Sequence, residues 1–269
     1  MGDLGALRTL LRQQDRVVVA FSGGADSALL AWVANDTLGA ERVLAVTAVS
    51  ASLPAAERDA CRSLAEKWGL RWVEVVTDEL DRAAYRINSG DRCYHCKSAL
   101  MDELAPIADA EGATILLGVN VDDLGDHRPG QQAAQERGAR FPLLEADLTK
   151  ADVRRLSKEL GLLTWDKPAA ACLASRVPYG TEVSVGLLSQ IERAEAALRR
   201  LGFEELRARH YGDTVRIEVP SHRLADLVAV ASTAVAVVKA VGYRYVTLDL
   251  EGLRSGNLNQ ALVEPGGHG

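Results

Sequence analysis

The sequence predicts an α/β fold, an open parallel sheet with helices on both faces, followed by a smaller C-terminal α+β domain. Three observations lead there. Apolar runs at Val17–Ala20, Arg42–Val49 and Leu70–Val76 alternate with helical patterns, the signature of a parallel sheet wound with helices. The first run, Val17-Val18-Val19, is apolar at successive positions, as in a strand buried on both faces. After Ser184 the pattern changes to helix, strand, strand, helix, strand.

In chain order, Leu4 to Arg12 reads as a short amphipathic helix before the first strand. Ala28 to Val33 carries an apolar helical pattern. Pro54 opens a helix that runs to Trp68, and Gly69 ends it. Asp81 to Arg92 is irregular. Tyr94 to Glu111 reads as a helix, Thr114 to Leu117 as a fourth strand, and Lys150 to Leu160 as a helix capped by Thr149. Leu162 to Ser184 is long and irregular, a length that in a compact protein points to function. Val185 to Leu201 and Ser221 to Val241 read as helices. Strands are expected at Glu205 to His210, Thr214 to Val219 and Tyr243 to Leu250. The expected domains are 1–165, a linker and active-site loop at 166–184, a substrate-binding or oligomerisation domain at 185–263, and a disordered tail at 264–269.

The 269 residues suit one large domain or two, and 48% hydrophobic with 25% charged residues suits a globular protein. A net charge of −6 offers no general basic surface, so no nucleic-acid partner is expected. No apolar run is long enough for a bilayer, so no membrane partner is expected. Met1 to Gln14 lacks a basic start followed by an apolar core, so the expected location is cytoplasmic. Four cysteines in such a chain argue for metal or chemistry rather than disulfides.

Ser22-Gly23-Gly24-Ala25-Asp26-Ser27 joins the first strand to a helix. Glycines let backbone N–H groups approach an anion, and the helix aims its free N–H groups and positive dipole end at the same point. Ser22 and Ser27 add hydroxyls. No lysine is present, so this is not the loop that ends in Gly-Lys-Ser/Thr. The segment resembles the PP-loop of the N-type ATP pyrophosphatases, Ser-Gly-Gly-x-Asp-Ser. That resemblance implies an open sheet of PP-loop type that binds ATP through Ser22, Gly23, Gly24, Asp26 and Ser27 and releases pyrophosphate. Asp26 would help hold Mg²⁺ or cap the helix.

Cys93-Tyr94-His95-Cys96 sits at a helix start. Alone it is half a zinc site, a redox pair or two ordinary residues. Cys172 is the remaining candidate, because Cys61 reads as a buried small hydrophobe. Three cysteines suit a [4Fe-4S] cluster with one iron open. Zinc at Cys93, Cys96, Cys172 and His95 is the competitor.

Taken together, several segments resemble the LarE family. They are the PP-loop, Cys93 to Lys97, Gly118 to Asp123, Asp126 to Gly130, Cys172 to Thr181, and Leu248 to Gly256. The resemblance implies an ATP-dependent sulfurtransferase of nickel-pincer nucleotide synthesis. Its substrate would be pyridinium-3,5-biscarboxylic acid mononucleotide, whose carboxylates are adenylated and converted to thiocarboxylates. Family members of one kind give up the sulfur of a single cysteine, matching Cys172, which becomes dehydroalanine. Others carry cysteines matching Cys93, Cys96 and Cys172, thought to hold a [4Fe-4S] cluster fed by sulfide or another sulfur donor. All three are present here, so the cluster-dependent kind is expected, as a homo-oligomer.

Within that scheme Mg²⁺ would bridge the phosphates, with Asp123 and Asp126 as ligands or merely solvated acids. Arg176, four residues after Cys172, would favour its thiolate, or form a surface salt bridge. Arg176, Arg209, Arg216 and Arg254 are candidates for the substrate's phosphate and carboxylates. Arg254 lies in a segment matching the family, whereas Arg209 and Arg216 also read as strand-exposed charges. Glu182 would hold a ribose hydroxyl or a metal, or cap the next helix. His210 and His222 read as surface residues. The rivals are another PP-loop enzyme such as a tRNA thiolase, a non-catalytic iron–sulfur or zinc carrier that binds ATP, and a structural zinc protein.

Overall fold

The computed structural model describes residues 3–125, 129–168 and 171–254. The chain divides into two compact units. One comprises Met1–Arg82 and Asp91–Ala170, the other Ala83–Gly90 and Ala171–Gly269.

The first unit opens with α1 (Leu4–Arg12), then β1 (Val17–Ala20), α2 (Ala25–Leu38), β2 (Val43–Val49), α3 (Ala55–Trp68) and β3 (Arg71–Val76). After α4 (Ala83–Arg86), which belongs to the second unit, come α5 (Arg92–Glu111), β4 (Thr114–Leu116), α6 (Pro129–Glu136), α7 (Pro142–Glu145) and α8 (Lys150–Glu159). The strands run parallel in the order β3-β2-β1-β4. Val17 pairs with Val43 on one side and Thr114 on the other.

The apolar run of β1 has a direct cause. Val17 and Val19 face a core with Leu7 and Leu11 of α1 and Leu29, Leu30 and Val33 of α2. Val18 faces the opposite core, with Leu100, Met101 and Leu104 of α5. Both faces of the strand are buried, so no polar alternation survives. Each fully buried Val or Leu contributes about 1.5–3 kcal/mol. The chain runs outward from β1 to β2 and β3, then returns to the other side of β1 as β4. The switch point therefore lies between β1 and β4, where an open α/β sheet receives its ligand.

Pro54 is the N-cap of α3, and Gly69 closes it with φ of 60°, as the sequence implies. Helices α6 and α7 are absent from the sequence reading. Each begins at a proline, whose fixed φ suits a first helical turn as well as a bend. Thr149 caps α8 in a full capping box: its Oγ1 accepts from Asp152 N at 3.1 Å, and Asp152 Oδ2 accepts from Thr149 N at 3.3 Å. Hydrogen bonds from Thr149 and then Arg155 bring the Asp152 carboxyl down from 3.8 to about 2. Thr149→Ala is expected to cost about 1 kcal/mol in urea unfolding. Because the folded carboxyl is the stronger acid, its contribution is whole above about pH 4. It fades as pH falls towards 2, so the wild-type advantage over the variant shrinks across that window.

The second unit holds α9 (Val185–Arg199), β5 (Arg207–Tyr211), β6 (Thr214–Glu218), α10 (Leu224–Ala229), α11 (Ala231–Lys239) and β7 (Tyr245–Leu248). β5 and β6 form an antiparallel hairpin, and β7 lies parallel to β6. The helix expected over Ser221–Val241 is instead a 3₁₀ turn followed by α10 and α11, bent by 85° at Val230. A straight helix of that length would reach about 30 Å, and four- or five-residue strands span only about 16 Å. The bend lets Leu227, Ala234 and Val238 join one core with Phe203, Ala208 and Val219. Among the described residues, no single helix is long and apolar enough to cross a membrane. The expected tail at 264–269 lies outside the described residues.

Candidate active site

The Ser22–Ser27 loop follows β1 directly. Phe21 N still donates to Val46 O at 2.8 Å, and the chain then turns at Gly23 with φ of 66°. A Cβ on Gly23 would stand 2.9 Å from Cys61 Sγ. Cys61 is fully buried beneath the loop, and burial pushes its thiol up, so it packs as the sequence suggested. Ser22 and Ser27 hydroxyls lie 3.0 Å apart, and Ser27 Oγ also takes the Ser22 N–H at 3.2 Å. The N-cap of α2 is Gly24, and no side chain caps it. No side chain at the N-cap therefore satisfies the first N–H groups of α2, the donors that a helix start offers an anion.

Asp26 therefore does not cap α2, which corrects one of its two expected roles. Its carboxylate accepts from Asn120 Nδ2 at 2.8 Å and pairs with the ammonium of Lys150. Asn120 is buried just beyond β4. Its own N–H donates to Asp123 Oδ2 at 3.1 Å, and its Oδ1 accepts from Asp122 N at 3.0 Å. The carboxylate of Asp123 thus holds its own turn, and Asp126 lies outside the described residues. Gly118 completes the contact: a Cβ there would meet Ser27 N at 2.8 Å and the Asp26 carbonyl carbon at 2.9 Å. Backbone on both sides cannot give way as a side chain can. Gly118→Ala is expected to weaken ATP binding about tenfold or more by prising the two loops apart, read by calorimetric titration.

Two lysines that the motif lacks arrive from elsewhere. Lys150 is the first residue of α8, and Lys167 lies beyond Leu162. Lys167 Nζ donates to Gly23 O at 3.1 Å and pairs with Glu57 at 2.7 Å. A cation at the positive end of a helix, as at Lys150, is disfavoured by the dipole, and that anomaly was the available sequence signal. Lys167 carries none.

Cys93 and Cys96 lie one turn apart at the start of α5, Cys93 exposed and Cys96 half-buried. No disulfide involves any of the four cysteines. His95 Nε2 lies 3.2 Å from Asp91 Oδ2. Among the described residues, no group of three or more His, Cys, Asp or Glu side chains is gathered for a metal ion. Cys93 and Cys96 belong to the first unit and Cys172 to the second.

In the second unit Cys172 precedes the 3₁₀ turn Leu173–Arg176 and is half-buried. Arg176 is buried and bound to the equally buried Glu195 at 2.8 Å. Its Nη1 donates to the carbonyls of Ala171 at 2.6 Å and Cys172 at 3.1 Å. The surface salt bridge weighed for Arg176 is thus excluded, and the guanidinium serves the backbone of the Cys172 turn. Glu195 also accepts from Arg199 at 3.0 Å and from Ala208 N at 3.1 Å. Arg209 is buried too, which corrects its reading as a strand-exposed charge: it pairs with Glu218 at 2.9 Å and donates to Ser175 O at 2.7 Å. Arg216 is half-buried between Glu218 and Asp249 and lies over the Tyr211 ring. Arg254 pairs with Glu251 at 2.6 Å. Arg207, absent from the sequence reading, donates to Arg254 O at 3.3 Å. Burial first, then Arg209 and Arg176, push its guanidinium below its ordinary range. A cation crowded by cations favours an anionic ligand.

Two further expectations change. Glu182 does not cap α9; Ser184 does, accepting from Leu187 N at 3.3 Å, while Glu182 is exposed near Arg86. His210 is half-buried against Tyr243 Oη at 3.2 Å, so it is not a surface residue, whereas His222 is exposed. Burial lowers the His210 pKa.

A family model described as NAD synthase matches residues 7–97, from α1 through the loop to Cys96. An uncharacterized protein of Synechocystis is 45% identical over 96% of this chain and 97% of its own length. An uncharacterized protein of Methanocaldococcus jannaschii is 25% identical over 89% of this chain and 91% of its own. The pyridinium-3,5-bisthiocarboxylic acid mononucleotide synthase of Lactiplantibacillus plantarum is 41% identical over 94% of this chain and 92% of its own. With identity of that extent over nearly the whole length of both proteins, the chain belongs to the LarE family.

Proposed function

We propose that this chain is an ATP-dependent sulfurtransferase of the cytoplasm. It would convert the carboxylates of pyridinium-3,5-biscarboxylic acid mononucleotide to thiocarboxylates for nickel-pincer cofactor synthesis. The observation that carries this reading is the near full-length identity to a synthase of that bisthiocarboxylic product, joined to an uncapped PP-loop at the sheet's switch point.

A carboxylate is a poor acyl donor because oxide leaves badly. Its oxygen attacks the α-phosphorus of ATP, a C–O–P bond forms, and pyrophosphate leaves with the electron pair of the broken P–O bond. Ser22, Gly23, Gly24 and Ser27 hold that leaving group through N–H and O–H donors, where charge grows in the transition state. A sulfur nucleophile then attacks the acyl carbon and AMP departs. Asp26 fits a Mg²⁺ site by its oxygen chemistry and its place on the loop. Arg254 and Arg207 would receive the nucleotide phosphate or a carboxylate. Arg176 would act as a positioning residue that fixes the Cys172 turn.

Cys93, Cys96 and Cys172 would hold three irons of a [4Fe-4S] cluster, thiolate being the donor that such clusters take. When bound, that group would supply a sulfide on the iron left without a protein ligand. The alternative is sacrificial loss of the Cys172 sulfur. The residues from 185 onward would bind substrate and build a homo-oligomer.

The test is an anaerobic reaction of iron- and sulfide-reconstituted protein with ATP, Mg²⁺ and the mononucleotide. The expected result is AMP and pyrophosphate release that depends on the mononucleotide, with product mass showing oxygen replaced by sulfur. Nucleotide binding without pyrophosphate release would instead favour the ATP-binding carrier. A protein that loses one sulfur from Cys172 per turnover would favour the sacrificial route.

A further inference from the structure

The phosphate loop contains no cation of its own. Between Ser22 and Ser27 the only charged side chain is Asp26, which repels an anion. Helix N–H groups and two hydroxyls offer dipoles alone, yet the leaving pyrophosphate bears several negative charges. Both ends of the loop nevertheless carry an ammonium. Lys150 pairs with Asp26, and Lys167 sits on the Gly23 carbonyl and Glu57. The geometry points to Lys150 and Lys167 as the pyrophosphate-binding lysines of this enzyme, supplied from α8 and from the segment beyond it.

Three features support the assignment. The Lys150 and Lys167 side chains keep 37% and 21% of their surface exposed, so neither is sealed into the fold. Partly solvated pairs of this kind contribute little to stability, so redirecting an ammonium from its acid to a phosphate costs little. Lysine also suits the task, being a point charge with three rotatable donors on a flexible stem. In this arrangement Asp26 and Glu57 hold the two lysines beside the cradle while it is empty. Lys150 relieves the repulsion that Asp26 would otherwise exert on the incoming anion.

The assignment rests on the reading of the loop as an ATP site, and the two can fail separately. Inorganic pyrophosphate, ATP and AMP are titrated calorimetrically into the full chain and into Lys150→Met, Lys167→Met and Glu57→Gln. The expected result is pyrophosphate affinity lowered about ten- to a hundredfold in each lysine variant. AMP affinity, which needs no β-phosphate contact, changes far less, and the melting temperature is unchanged. Glu57→Gln, which frees Lys167 from its acid, binds pyrophosphate at least as tightly as wild type. Wild-type pyrophosphate affinity in both lysine variants overturns the assignment while ATP binding by the wild type keeps the site. Equal loss of AMP and pyrophosphate affinity, with Glu57→Gln falling in step, also overturns it, because that pattern marks a structural brace. A wild type that binds neither ATP nor pyrophosphate removes the nucleotide site and the assignment together.

Discussion

Cys172→Ala is expected to abolish thiocarboxylate formation while leaving mononucleotide-dependent pyrophosphate release in place. The Ser22–Ser27 loop proposed to hold pyrophosphate lies in the first unit, and Cys172 precedes a 3₁₀ turn of the second. Adenylation asks nothing of a thiol, whereas both routes for sulfur require this one. Its backbone is fixed by Arg176 and the turn's own Ser175 N to Cys172 O bond at 2.9 Å, neither of which needs the sulfur, so the turn survives the substitution. Single-turnover assays with product mass analysis give the answer. Wild-type yields of thiocarboxylate from the variant would remove Cys172 from the chemistry. Loss of pyrophosphate release as well would mean that the two half-reactions are not separable by residue.

The largest stability effect belongs to Glu195→Ala. Glu195 is fully buried on α9 and satisfies Arg176, Arg199 and the Ala208 N–H at once. Removing it leaves the buried Arg176 guanidinium without its counter-charge, a change that costs about 3–5 kcal/mol. That is a large share of the about 5–15 kcal/mol that holds a typical domain folded. Glu195→Gln keeps an acceptor for Ala208 N and the same volume, so its loss is expected to be smaller. Urea unfolding of the two variants beside the wild type measures both. A loss below about 1 kcal/mol for the alanine variant would show that water reaches Arg176 and replaces the carboxylate.

The sheet of the first unit was legible because its physics is local. Strands buried on both faces must be apolar throughout, so Val17 to Ala20 announces itself. Thr149 with Asp152, and Gly69 after Trp68, mark helix ends by chemistry within one turn. The bend between α10 and α11 was not legible, since Ser221 to Val241 has unbroken helical character and only the short sheet beneath forces the break. The phosphate loop is contiguous and could be read residue by residue. Asn120, Lys150 and Lys167 reach it through the fold, from up to 144 positions away. Glu195 was overlooked for a related reason. A glutamate on an amphipathic helix reads as solvated, and nothing local reveals that two arginines, from the Cys172 turn and from its own helix, meet on it.

The second unit borrows Ala83–Gly90 from the middle of the first, so the chain passes between units at 82/83, 90/91 and 170/171. Asn88 sits at φ of 58°. Its amide nitrogen donates to Pro178 O at 2.8 Å and Thr181 O at 3.1 Å, and its own carbonyl accepts from Gly180 N at 3.0 Å. During synthesis this octapeptide emerges some ninety residues ahead of the segment it must clasp. The first unit can complete its sheet meanwhile, but the second cannot close until its far partner leaves the ribosome. A gene split at residue 170 would therefore yield a C-terminal fragment missing its clasp. A proteolytic nick at 170/171 would leave the C-terminal piece held to Ala83–Gly90 by non-covalent contacts alone.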